Sequence, residues 1–177
     1  ISSLLTILVS VPMLSALTTV SQRIATGLDS FALLAVPLFI LSGQIMNSGG
    51  IATRLISFAK TIVGFLPGGL ALINIISAML MGSISGSAMA SASAMGSILG
   101  PEMEKEGYSK NFGVAVNISS ATTGLIIPPS NVLIVYSLAS GGVSVGALFL
   151  AGYIPGILTG LFLMLVAIFW SKKIIIK

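Results

Sequence analysis

"GSISGSAMASASAMGSILGP", residues 82–101, is the stretch on which the fold turns. It is built almost wholly from Gly, Ser, Ala and Met and carries no charge. It lies inside a chain that is otherwise strongly apolar. Small polar residues offer lipid little bulk. Such a run belongs where helices approach each other closely, or where irregular backbone is sheltered by protein or by a water-filled cavity.

Hydrophobic residues make up 55% of the chain and charged residues 7%, with a mean hydropathy of +1.12. A water-facing surface normally needs about a quarter of its residues charged. The composition therefore points to an all-α integral membrane protein. Charges are missing from Ile1 to Gln22, Ser30 to Thr53, Thr61 to Pro101 and Asn111 to Ser171. A spanning helix needs about 20 apolar residues, so these gaps hold several passes and no single signal peptide explains them. The net charge of +4 is read as Lys and Arg flanking spans and setting topology. No basic run with interleaved aromatics is present, so nucleic acid is not an expected partner. With neither Cys nor His in the sequence, disulfides, thiol chemistry, imidazole ligands and Ser-His or Cys-His nucleophiles are excluded within this chain.

Outward from the opening stretch, the elements follow in order. Ile1–Ser10 reads as the tail of a helix whose start is missing. Residues 11–30, with Arg23, read as an amphipathic interfacial helix. Ser30–Ser48 reads as a span kinked at Pro37 and stopped by residues 47–50. Residues 51–66 read as a second interfacial helix bearing Arg54 and Lys60. Residues 67–101 are charge-free, with a break expected between Gly82 and Gly86. Two arms of about 15 residues reach only about 22 Å, short of a hydrocarbon core of about 30 Å. The predicted shape is a re-entrant hairpin. Residues 111–140 read as a helix broken at Gly124 and Pro128-Pro129, and residues 146–170 as a last span ending at Trp170 with Lys172 and Lys173 as anchors. A hairpin that returns to its own side places Arg54, Lys60, the 102–110 cluster and Lys172-Lys173 on one face, the cytoplasmic one.

Two readings of the quoted run stand together. Ala88, Ala92, Gly96 and Gly100 recur every fourth residue, and Gly82 and Gly86 fit the same spacing, which suits close helix packing. The turn at residues 82–87 also brings the free carbonyls of an ending helix beside the free N–H groups of a starting one. Neutral oxygens there suit a cation, and the N–H groups suit an anion. In the second break, prolines at 128 and 129 have no N–H to return and would release the carbonyls of Gly124 and Leu125. Thr122, Thr123 and Asn131 stand nearby, and Ser130 is a plausible cap for the following half-helix. The plain alternative is a kinked packing helix. Two interrupted helices in close succession favour a transporter binding site. No Asp, Glu or His lies in the charge-free stretches, which favours sodium over proton relays. Asn74 reads as a helix–helix hydrogen bond. The sequon at Asn117 lies inside a span and is set aside.

The stretches "DSFALLAVPLFILSGQIMNSGGIATRLI", "SGSAMASASAMGSILGPEMEKEGY", "IIPPSN" and "FLAGYIPG" together resemble the large, M or DctM-like, membrane subunit of TRAP (tripartite ATP-independent periplasmic) transporters. The resemblance runs over nearly the whole chain, in the family's order. It implies an elevator-type secondary transporter of the bacterial inner membrane, built from two inverted repeats and similar to the wider ion-transporter superfamily. Such systems use a sodium gradient to import carboxylated solutes such as sialic acid, C4-dicarboxylates or sugar acids. The implied partners are a periplasmic substrate-binding protein, a small (Q-type) membrane subunit and the C-terminal half of the same subunit. By this match the chain is the N-terminal half and is not expected to transport alone.

The resemblance also implies a division of the chain. Residues 1–66 would be scaffold and interfacial arm helices. Residues 67–140 would be half of the transport domain, with hairpin 67–101 and broken helix 111–140. Residues 141–177 would hold the following transmembrane helix. Sodium would be held by Ser83, Ser85, Gly86, Thr122, Thr123, Gly124 and Pro128. The solute would meet Ser85, Ser87, Pro129, Ser130 and Asn131. The family often has Asp at the position held here by Ser91. A re-entrant-loop channel and a purely structural membrane subunit are the competing classes. An enzyme is not expected, since no acid–base or metal constellation lies in the membrane stretches.

Overall fold

The computed structural model describes Thr6, Val9, residues 12–29 and residues 31–175, with side chains described as far as Ser171 in the last helix. The reading of Ile1–Ser10 therefore falls mostly outside the described residues, as do the side chains of Lys172 and Lys173. The helices are α1 (Met13–Leu28), α2 (Phe31–Ser48), α3 (Ile51–Val63), α4 (Gly69–Ser85), α5 (Ala88–Lys105), α6 (Lys110–Ala121), a 3-10 turn (Thr122–Leu125), α7 (Asn131–Ala139) and α8 (Val145–Ile175). No strand occurs among the described residues.

α4 is the axis of the assembly. It packs against α2, α3, α5, α6, the 3-10 turn and α8. α3 covers it with Ala52, Ile56, Ala59 and Val63, which share one face at helical spacing and are all buried. α3 turns its other residues outward, Phe58 among them. α8 fits its small residues to the assembly: a Cβ on Gly156 would lie 3.3 Å from the Ile127 nitrogen.

Polar side chains share the interior with the apolar core, and the outer face is apolar. Asn74, Ser77, Ser85, Ser91, Ser120, Thr123 and Ser130 are buried, whereas Leu150, Ile154, Phe162 and Phe169 of α8 are exposed. Water would penalise that outer face, and lipid or further protein suits it. Three polar ties join α4, α5 and α6. Ser91 Oγ donates to the Ala78 carbonyl at 3.0 Å, Asn117 Nδ2 to the Ala92 carbonyl at 2.8 Å, and Ser120 Oγ to Asn74 Oδ1 at 3.3 Å. The expected helix–helix role of Asn74 is therefore observed. Ser91 makes the tie within the hairpin.

The feet of the hairpin meet the end of α8. Tyr108, just past α5, lies 3.4 Å from Ser171 Oγ through its hydroxyl and stacks on Phe112 at 5.8 Å. A Cβ on Gly68, before α4, would lie 2.9 Å from the same Ser171 Oγ. The entry to the hairpin, its exit and the α8 terminus thus gather at one end. A buried hydrogen bond contributes about 1 kcal/mol net. Tyr108→Phe and Ser171→Ala are each expected to lower the thermal midpoint of the detergent-solubilised full subunit to a similar extent. The double variant should go no lower than either single one. Additive losses would show that the two hydroxyls act separately.

Several expectations need correction. The hairpin turn is only Gly86-Ser87, because Gly82 to Ser85 continue α4. α5 runs through Pro101 to Lys105. Proline costs a helix its own N–H bond, and Gly100 before it has no Cβ to meet the ring. The arms, of 17 and 18 residues, therefore measure about 26 and 27 Å, less than a turn more than expected and still short of about 30 Å. One helix among the described residues, Val145–Ser171, is by itself long and apolar enough to cross a bilayer. Met13–Leu28 and Leu33–Ser48 meet the same test only as a pair, bent by 47° at the break between them. The expected independent span at Ser30–Ser48 is therefore a helix of 18 described residues that follows α1.

Candidate functional site

The hairpin tip is made by two residues of opposite habit. Gly86 closes α4 in the left-handed region (φ 62°), and its N–H donates to the Gly82 carbonyl at 2.7 Å. Ser87 is extended (φ −131°) and caps α5 by accepting from the Ala90 N–H at 3.3 Å. Ser85 Oγ bridges the turn, accepting from the Ser87 N–H at 3.3 Å and lying 3.4 Å from the Ser87 carbonyl oxygen.

The second break is built differently from the expectation. α6 ends at Ala121 and the chain tightens into the 3-10 turn. The Pro128-Pro129 bond is cis. The Ile126 and Ile127 N–H groups both donate to the Thr123 carbonyl. The Leu125 carbonyl, expected to be released by proline, instead accepts from Ser130 Oγ at 2.5 Å. Ser130 also caps α7 by accepting from the Leu133 N–H at 3.4 Å. With no continuous helix through the prolines, the i−4 rule that predicted free carbonyls does not apply there.

Tip and break touch. A Cβ on Gly86 would lie 2.9 Å from the Pro129 oxygen, 3.2 Å from the Asn131 nitrogen and 3.4 Å from its Cγ. A Cβ on Gly124 would lie 2.6 Å from Gly82 Cα. Only glycine lets the two backbones come so near. The starts of α5 and α7 are thereby brought together, each with first-turn N–H groups that have no partner within the helix. Asn131 Oδ1 is buried beside the tip with no hydrogen-bond partner.

The oxygen chemistry suits a hard monovalent cation. Ser83, Thr122 and Thr123 donate their hydroxyl protons to the carbonyls of Leu80, Ser119 and Ser120 at 2.8, 2.7 and 2.6 Å. Each hydroxyl oxygen then keeps acceptor lone pairs. The named residues are not all in one place. Ser85, Gly86, Ser87, Pro129 and Asn131 meet at the contact, and Gly124 meets Gly82 in the turn of α4 just before it. Thr122 is exposed, Thr123 is buried and Ser83 bonds within its own helix. Pro128 is held from the α8 side, where a Cβ on Gly152 would lie 3.6 Å from Pro128 Cδ.

α2 adds residues that the sequence reading passed over. A Cβ on Gly43 would lie 2.9 Å from Ser85 Cβ. A cavity of about 170 Å³ opens beside it, bounded by Gln44 and Asn47 on one side and by Ser85 and Ser87 on the other. Asn47 reads from sequence as a helix stop. The pair Gly43-Gln44 inside an apolar helix is the signal that α2 faces polar protein there.

Residues 1–176 match the family model described as "Tripartite ATP-independent periplasmic transporter, DctM component". The chain is 58% identical over 173 residues to the uncharacterized protein YgiK of Salmonella typhimurium, covering 98% of this chain and 40% of that protein. It is 39% identical over 153 residues to the sialic acid TRAP transporter large permease protein SiaM of Vibrio cholerae, covering 86% of this chain and 36% of SiaM. It is 42% identical over 144 residues to the C4-dicarboxylate TRAP transporter large permease protein DctM of Vibrio cholerae, covering 81% of this chain and 31% of that protein. The chain thus spans less than half the length of these relatives.

Proposed function

We propose, because this chain belongs to the DctM component family of tripartite ATP-independent periplasmic transporters, that it forms one wall of a sodium-coupled site importing carboxylated organic solutes. The family is one of transporters, not enzymes. The observation that carries the reading is the contact of the Gly86-Ser87 tip with Pro129 and Asn131, which brings two helix starts and neutral oxygens together. Helix starts favour a carboxylate. Hydroxyl and carbonyl oxygens, with the unpartnered Asn131 Oδ1, favour sodium.

In this reading sodium binds first and holds the tip against the break. The bound ion lowers the cost of admitting an anion among apolar helices. The hairpin is re-entrant and, with the broken helix, moves past a scaffold in an elevator step. The rest of the subunit supplies the opposite wall. A periplasmic binding protein delivers the solute, and a small membrane subunit joins the scaffold in the bacterial inner membrane. Sialic acid and C4-dicarboxylates, named for two of the relatives, define the solute class.

Proteoliposomes holding the complete subunit and its small partner, with the cognate binding protein outside, test the reading. An imposed inward sodium gradient is expected to drive saturable uptake and counterflow, and a proton gradient alone is not. Uptake driven by protons alone would place the coupling groups elsewhere. Flux without saturation or counterflow would indicate a pore.

A further inference from the structure

A chain of hydrogen bonds behind the second break begins in the hairpin. Asn74 Oδ1, on α4, accepts from Ser120 Oγ at 3.3 Å in the last turn of α6. About two turns further along α4, Gly82 packs on the backbone of Gly124. Thr123 lies between these two stations, where the chain has left α6 for the 3-10 turn. Its hydroxyl donates to the Ser120 carbonyl at 2.6 Å. Asn74, Ser120 and Thr123 are 1%, 0% and 0% exposed, so water does not compete for these bonds.

We infer that Asn74 is a positioning residue for the cation site. It holds Ser120 by the side chain and so fixes the carbonyl on which the Thr123 hydroxyl turns. The inference rests on the sodium role proposed above for Thr123. With its proton committed, Thr123 Oγ1 offers an ion only lone pairs, and their direction follows from where that carbonyl stands. A 3-10 turn holds its hydrogen bonds less well than an α-helix, so α6 alone does not set that place, and α4 supplies the reference. A packing role alone does not call for an amide at 74. Leu72, Ile73 and Ile75 surround it in sequence and are equally buried, and a carboxamide there costs desolvation that a leucine of similar size would not. The hairpin arms and the α5–α6 pair have ties of their own at Ser91 and Asn117. The Asn74 tie ends on the residue whose carbonyl holds Thr123. Cutting it orphans no hydroxyl, because Ser120 Oγ also lies 3.1 Å from the Asn117 carbonyl oxygen of its own helix.

The test uses the full subunit with its small partner in detergent. Its thermal midpoint is titrated with sodium chloride against choline chloride at constant ionic strength, and the same proteins are assayed for uptake in proteoliposomes. The sodium concentration for half the thermal shift should rise about fivefold in Asn74→Leu, the factor that corresponds to one hydrogen bond. Ser120→Ala, which removes the same link with a smaller change, should match it. Maximal uptake at saturating sodium should stay within about twofold of wild type in both, since the groups that meet the solute are intact. Adding Asn74→Leu to Thr123→Ala should leave the sodium titration where Thr123→Ala alone puts it. A wild-type titration in both single variants would overturn the inference. So would a further fivefold rise in the Thr123→Ala background, which would show that Asn74 acts without Thr123. A wild-type protein that does not respond to sodium would overturn the proposed function itself, and this inference with it.

Discussion

Gly82→Val is expected to abolish uptake by the complete transporter and to reduce its recovery as a monodisperse species. Gly82 belongs to the small-residue pattern of the opening stretch, and a side chain there would be driven into the Gly124 backbone. Overpacking a core ordinarily costs about 1–3 kcal/mol, because side chains rotate away. Here the obstacle is main chain on both sides, so relief requires the break to leave the hairpin. Uptake in proteoliposomes and size-exclusion profiles read the two effects. Wild-type uptake in Gly82→Val would show that the contact between hairpin and break is not needed for transport.

Ser87→Ala and Thr123→Ala are each expected to lower sodium-driven uptake at least about tenfold, the factor that corresponds to about 1.4 kcal/mol of lost interaction. Expression should stay normal. Thr123 is fully buried, and its proton is already committed to the Ser120 carbonyl, so what the variant removes is an acceptor oxygen. Ser87 has a second role as the cap of α5, worth about 1 kcal/mol. Ser87→Asn separates the roles, because asparagine caps well but reshapes the tip. Uptake restored in Ser87→Asn would assign the residue to capping alone. A sodium titration completes the test. The half-saturating sodium concentration should rise in Thr123→Ala, and an unchanged value would remove Thr123 from the ion site.

Local chemistry was readable where a residue's partner lies a few positions away. Ser130 before an apolar run reads as a cap and is one. Gly86 reads as a turn and adopts positive φ. Pro128-Pro129 reads as a break and interrupts the helix. The misread positions have partners far along the chain. Gly82 looks like part of the turn, because a glycine in a helix is usually a weakness. Its reason for being glycine is Gly124, and no spacing rule announces that pairing. Gly96 likewise faces Asn117, whose Nδ2 would lie 2.7 Å from an added Cβ, while Gly100 in the same stripe faces nothing. A periodic pattern shows which side of a helix is smooth and leaves open which stations are occupied. The α2 residues beside the tip were missed for the same reason. Gly43 and Gln44 belong to a helix that reads as an ordinary span, and only the fold sets them against Ser85.

The four polar ties described for the fold differ in how much chain each must wait for. Ser91 reaches Ala78 across 13 residues, Asn117 reaches Ala92 across 25, Ser120 reaches Asn74 across 46, and Tyr108 reaches Ser171 across 63. Loop-closure entropy grows with the intervening length but only logarithmically, and the first two ties lie within the loop from Asn74 to Ser120, so they shorten the one that the third must close. The order of increasing span is also the order in which their later partners leave the ribosome. When residue 120 has been added, both ends of the first three ties exist, and the fourth waits for the distal end of α8. The hairpin is thus a template completed early in synthesis, against which the broken helix docks and which the last helix then seals.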